Sequence, residues 1–140
     1  MTKYEESDID GPEIERYTSG VKRVLVVDDD DDMRSLMIML LSERYEVSSA
    51  RDGAEGLEMA RRLRPDLIVL DLLMPRMHGF EVCRRVRADA GLKGVKVLIS
   101  SSKSYQHDVN TAVGETGADG YIVKPFEIAD FETRVAALLA

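Results

Sequence analysis

The sequence predicts an α/β domain, an open, doubly wound parallel sheet of five strands alternating with five helices. Two observations lead there. Short, continuously apolar runs such as VLVV (24–27) and LIVL (67–70) have the composition of strands buried on both faces. Between such runs lie longer segments with apolar residues at helical spacing. Right-handed crossovers leave few workable topologies for a chain of 140 residues.

The elements follow in order. Residues 1–20 are polar, acidic and aperiodic, with Gly11, Pro12 and Gly20 as breakers, and read as a mobile arm without a core. KRVLVVD (22–28) is the first strand. MRSLMIMLLSE (33–43) is a helix with Met33, Leu36, Met37, Leu40 and Leu41 at helical spacing. YEVSSA (45–50) is a second, weaker strand, expected at a sheet edge. GAEGLEMARRL (53–63) is a helix with Leu57, Ala60 and Leu63 on one side. DLIVLDL (66–72) is the third strand. FEVCRRVRAD (80–89) turns Phe80, Cys83 and Val86 inward. VKVLIS (95–100) is the fourth strand, and SYQHDVNTAVGETG (104–117) a poor helix weakened by Gly114. DGYIVKP (119–125) and FEIADFETRVAALLA (126–140) supply the last strand and helix. Residues 21–140 therefore read as one domain with one core.

Composition narrows the function. A net charge of −7 disfavours binding to a nucleic-acid backbone, which relies on Lys and Arg. No apolar run approaches the roughly 20 residues of a membrane helix, and the first 20 residues hold no apolar signal core. Cys83 is the single cysteine, which excludes an internal disulfide and fits a cytoplasmic location.

In doubly wound sheets ligands bind beyond the carboxyl ends of the strands. The first strand ends in Asp28 and Asp29, and the third in Asp71. The fourth ends in Ser100, Ser101 and Ser102, and the fifth in Lys124 and Pro125. Solubility alone gives no reason to place acid, acid, hydroxyl and amine along one rim. Two carboxylates at roughly 4 Å repel by about 1 kcal/mol in water and several times that near a protein surface. A hard divalent cation with oxygen ligands compensates naturally, and Mg²⁺ typically binds one or two carboxylates and a phosphate oxygen. Lys124 adds a second positive group. The set suits phosphoryl chemistry, with an aspartate able to act as nucleophile. Asp30, Asp31 and Asp32 read instead as caps of the first helix. His78 and His107 lack metal-site spacing and read as surface residues.

VLVVDD, LIVLDLLMPRMHG, VLISSS and GADGYIVKPF together resemble, in order, the blocks of the receiver domain of two-component response regulators. The resemblance spans residues 21–140 and is similar to the chemotaxis response regulator. It implies a flavodoxin-like sheet of order 2-1-3-4-5. It implies that Asp71 accepts a phosphoryl group from a histidine kinase or a histidine phosphotransfer protein. Asp28, Asp29, Asp71 and the carbonyl of Leu73 would hold Mg²⁺, and Lys124 would contact the phosphoryl oxygens. Pro125 matches the family's cis-proline. A strand 4 hydroxyl would move to the phosphoryl group and let Tyr121 turn inward, reshaping the surface of the fourth helix, fifth strand and last helix for a partner or an output domain. Alignment of VLISS selects Ser101 as that hydroxyl, whereas spacing from Lys124 selects Ser102; Ser101 is preferred because the intervening segment holds one extra residue. Leu73 and Lys103 occupy positions that tune dephosphorylation in the family, and neither can orient a water, which implies slow self-dephosphorylation.

Two other readings compete. Asp28 and Asp30 have the Asp-x-Asp spacing of haloacid-dehalogenase-type phosphohydrolases, but that leaves Asp71 and MPRMHG unexplained. A receiver-like interaction module that never carries phosphate is the other. The phosphoacceptor reading requires Asp71 to be open to solvent and close to Asp28, Asp29 and Lys124.

Overall fold

The structure, a computed structural model, describes residues 20–102, 114 and 116–140. All but Gly20 of the expected N-terminal arm, His107, Lys103 and nearly all of the expected fourth helix lie outside the described residues.

Five parallel strands form one sheet: β1 (Arg23–Val27), β2 (Glu46–Ala50), β3 (Leu67–Asp71), β4 (Lys96–Ser102) and β5 (Gly120–Lys124). Their order is β2-β1-β3-β4-β5, with the weak second strand at the edge as expected. Among the described residues the helices are α1 (Asp31–Leu41), α2 (Gly53–Leu63), α3 (Gly79–Ala88) and α4 (Ile128–Leu139). A short 3₁₀ turn at Ala90–Leu92, which the sequence did not suggest, precedes β4.

The central strands are apolar throughout because both faces are covered. Leu25, Val27, Ile68, Leu70, Val97 and Ile99 pack against Leu57 and Ala60 of α2 and Val82, Cys83 and Val86 of α3. The alternating residues Val24, Val26, Leu67, Val69, Leu98 and Ile122 pack against Met37 and Leu41 of α1 and Phe131 and Val135 of α4. Each such large aliphatic side chain contributes about 1.5–3 kcal/mol on burial.

Local signals set the ends. α1 begins two residues before MRSLM because the Asp30 carboxylate caps it, accepting from the Asp32 amide at 3.2 Å. Asp52 caps α2 by accepting from the Glu55 amide at 2.8 Å. β4 extends two residues past its expected end, since Ser101 and Ser102 pair with Val123 and Lys124. Arg87 of α3 fixes the start of β5, donating to the carbonyls of Gly117 and Val95 and to Asp119. Cys83 is a buried core thiol whose Sγ lies 3.4 Å from the Thr116 carbonyl oxygen.

Candidate functional site

The carboxyl ends of β1, β3, β4 and β5 bring the expected residues to one rim. Asp28 follows β1 directly and is buried; its Oδ1 accepts from the Asp30 amide at 2.9 Å. Asp29 beside it is exposed. Asp71 closes β3. Oxygens of Asp28, Asp29 and Asp71 all lie within 4.8 Å of one another. Lys124 reaches from β5 across β4, placing Nζ 3.2 Å from Asp71 Oδ1 and 3.4 Å from Asp28 Oδ2. The Lys124–Pro125 peptide bond is cis.

Asp71 is less open than the sequence reading required. Only 9% of its side chain meets solvent. The loop after β3 packs tightly against this strand end. The Gly79 amide donates to the Leu72 carbonyl at 2.8 Å, folding residues 72–79 back over the strand end. A Cβ on Gly79 would stand 2.4 Å from the Asp71 carbonyl oxygen, so this position excludes any side chain. In the same loop Arg76 adopts a left-handed backbone, φ 71°, and its guanidinium pairs with Asp52 at 3.0 Å, bracing the loop against the N-terminus of α2. Leu73 is exposed on the loop.

Burial and like charge shape the electrostatics. Desolvation, then the neighbouring Asp28 charge, push the Asp71 carboxyl up to about 7. Burial also raises Asp28. Burial pulls Lys124 down, but Asp71 and Asp28 together more than offset it and hold the ammonium above its ordinary value. An all-oxygen set of three crowded carboxylates, two of them buried, fits a hard divalent cation such as Mg²⁺.

The three serines separate. Ser102 is exposed at the end of β4. Ser100 and Ser101 are buried, and neither hydroxyl has a hydrogen-bond partner among the described residues. Strand alternation puts Ser101 on the face of Ile99, shared with half-buried Tyr121. Ser100 lies on the other face, opposite Asp71 in the β3–β4 register. Sequence patterning leaves Ser101 and Ser102 as the candidate switch hydroxyls; the register adds that Ser100 stands opposite Asp71. Asp30 caps α1 and is not part of the acidic cluster of Asp28, Asp29 and Asp71. His78 is an exposed cap of α3, accepting from the Phe80 amide at 3.3 Å.

Comparisons with known proteins agree with this geometry. The family model described as the response regulator receiver domain matches residues 24–136. A "DNA-binding response regulator MtrA" of Mycolicibacterium smegmatis is 40% identical over 119 residues, covering 84% of this chain and 50% of the relative. A "DNA-binding dual master transcriptional regulator RpaA" of Synechocystis is 39% identical over 118 residues, covering 84% of this chain and 48% of that protein. The chain thus spans about half the length of the curated relatives it matches. A solved response regulator from Chloroflexus aurantiacus has a TM-score of 0.79 at 32% identity, covering 85% of this chain and 98% of its own. Chemotaxis protein CheY4 of Vibrio cholerae has a TM-score of 0.78 at 31% identity, covering 84% and 98%. The chain belongs to the response regulator receiver domain family.

Proposed function

We propose that residues 21–140 act as a phosphorylation-controlled switch in which Asp71 accepts a phosphoryl group from a histidine kinase or histidine phosphotransfer protein. The observation that carries the reading is the Lys124 ammonium 3.2 Å from Asp71, within an acidic cluster whose other members are Asp28 and Asp29. Asp71 Oδ attacks phosphorus, the P–N bond of the donor phosphohistidine breaks, and its electron pair stays on the imidazole nitrogen, which takes a proton from water. Lys124 follows the new negative charge onto the phosphoryl oxygens. Asp28, Asp29, Asp71 and the Leu73 carbonyl are the residues that would hold Mg²⁺. When bound, the ion supplies positive charge against the carboxylates and the transferring group.

The added charge draws the Ser101 hydroxyl towards the phosphoryl group. Space on the shared face then opens for Tyr121. The surface around β5 and α4 changes with it, which is the form in which a downstream protein or an attached output domain reads the state. The domain does no chemistry beyond its own phosphorylation and dephosphorylation. No helix among the described residues is long and apolar enough to cross a membrane, in keeping with a cytoplasmic switch. DNA binding belongs to the printed names of the relatives; for this acidic domain we assign contact with DNA only to an output partner.

The test is incubation with a small phosphodonor, with and without Mg²⁺, for the wild type and Asp71→Asn. Mg²⁺-dependent labelling lost in Asp71→Asn supports the proposal. Labelling that persists in Asp71→Asn overturns the assignment to Asp71, and no labelling of the wild type overturns the proposal in favour of a phosphate-free interaction module.

A further inference from the structure

Two consecutive hydroxyls near the rim, on Ser100 and Ser101, are wholly buried and make no hydrogen bond among the described residues. A buried unpaired hydroxyl is costly, and a native one calls for a use. Ser101 has a use in the proposed switch. Ser100 has none.

The placement of Ser100 is specific. It stands opposite Asp71 in the β3–β4 register, and its carbonyl accepts from the Leu72 amide at 3.0 Å, fixing that register just past the acceptor. Neighbouring strands run about 4.8 Å apart, within reach of two short side chains on one face. Alternation puts Ser100 on the face of Leu98 and Ile122, the face from which Lys124 crosses to Asp71. Ser101 lies one residue nearer the rim, past the position of Asp71, whereas Ser100 is level with Asp71 in the backbone register. In the unphosphorylated domain Asp71 Oδ1 is engaged by Lys124.

We propose that Ser100 is a second hydroxyl of the site, donating its O–H to the acyl oxygen of phosphorylated Asp71. This rests on the reading of Asp71 as the phosphoacceptor. On phosphorylation one carboxylate oxygen becomes the C–O–P bridge and the other the acyl oxygen. Lys124 moves to the phosphoryl oxygens and frees the acyl oxygen for a new donor. In hydrolysis a water oxygen attacks phosphorus and the P–O bond to Asp71 breaks. The electron pair returns to the carboxylate, and the water's proton leaves with inorganic phosphate. A donor on the acyl oxygen stabilises the negative charge that the carboxylate regains, so Ser100 shortens the phosphorylated lifetime.

The experiment compares Ser100→Ala with wild type after labelling with acetyl phosphate and Mg²⁺. The lifetime is expected to lengthen roughly fivefold, the rate equivalent of one neutral hydrogen bond. The Mg²⁺ affinity of the unphosphorylated domain is expected to stay unchanged. Its thermal midpoint is expected to equal or exceed that of the wild type, because an unpaired hydroxyl is removed. An unchanged lifetime overturns the proposal. A lifetime and a Mg²⁺ affinity that change together also overturn it, since they show Asp71 displaced rather than a donor lost. Absence of label on the wild type overturns the phosphoacceptor reading itself, whereas label with unaltered decay in Ser100→Ala overturns this inference alone.

Discussion

Asp28 and Asp71, at the carboxyl ends of the neighbouring strands β1 and β3, hold buried carboxylates within 4.8 Å of each other. Burial and this mutual repulsion lift the Asp71 carboxyl to about 7. The unfolded chain loses that proton near 3.8, the ordinary value. Between these limits the folded state binds more protons than the unfolded state, so stability falls as pH rises through the window. In the metal-free domain the denaturation midpoint is expected to be lower at pH 8 than at pH 5.5. Mg²⁺ must displace the proton, so its apparent affinity is expected to rise with pH through about 7. Denaturant melts with and without Mg²⁺ at both pH values check this. A Mg²⁺ effect independent of pH contradicts it.

Lys124→Ala leaves the two acids without their ammonium. Removing one partner of a buried ion pair costs about 3 kcal/mol or more. The loss is expected to be larger at pH 8, above the Asp71 value of about 7, than at pH 5.5, where Asp71 carries a proton. Equal losses at the two pH values would count against the observed contacts as the source of stability.

Gly79→Ala forces a methyl group to within 2.4 Å of the Asp71 carbonyl oxygen. The loop and the acceptor strand cannot both stay in place. The cost is expected to be about 2–3 kcal/mol, with phosphodonor labelling reduced in parallel. Gly94→Ala, where a Cβ meets nothing within 4 Å, is the control, expected to shift stability by less than about 0.5 kcal/mol. Chemical denaturation of both variants decides the matter.

The switch hydroxyl is open to a direct test. Ser101 is buried on the face of Tyr121, whereas Ser102 is exposed. A beryllofluoride phosphoryl mimic is expected to shift the Tyr121 ring resonances in the wild type and in Ser102→Ala. Ser101→Ala is expected to abolish the shift. The reverse pattern would assign the role to Ser102.

Much of the fold was legible because the central strands are buried on both faces, and VLVV and LIVL advertise that directly. The strand ends then placed Asp28, Asp71 and Lys124 on one rim, where they meet. Other features were hidden for physical reasons. Adjacent Asp28 and Asp29 look alike in sequence, yet one is buried and one exposed. The close approach of Gly79 to the Asp71 carbonyl is a tertiary event without a local pattern. The strained Arg76 backbone and its pairing with Asp52 are of the same kind. The position of Ser100 opposite Asp71 shows only in the register, because the apolar pattern ends the fourth strand at Ser100 and leaves its face unassigned.

Leu73 stands exposed beside the site and has no acid or amide with which to orient a water. The phosphorylated domain is expected to decay slowly, over minutes or longer. A half-life of seconds contradicts that.

The central claim is that Asp71 carries the phosphoryl group. The domain is labelled with acetyl phosphate and Mg²⁺, then reduced with borohydride, which converts an aspartyl phosphate to homoserine, and the changed residue is located by peptide mass spectrometry. The account predicts homoserine at position 71 alone. Homoserine at position 28 or 29, or no conversion in a fully folded sample, would contradict it.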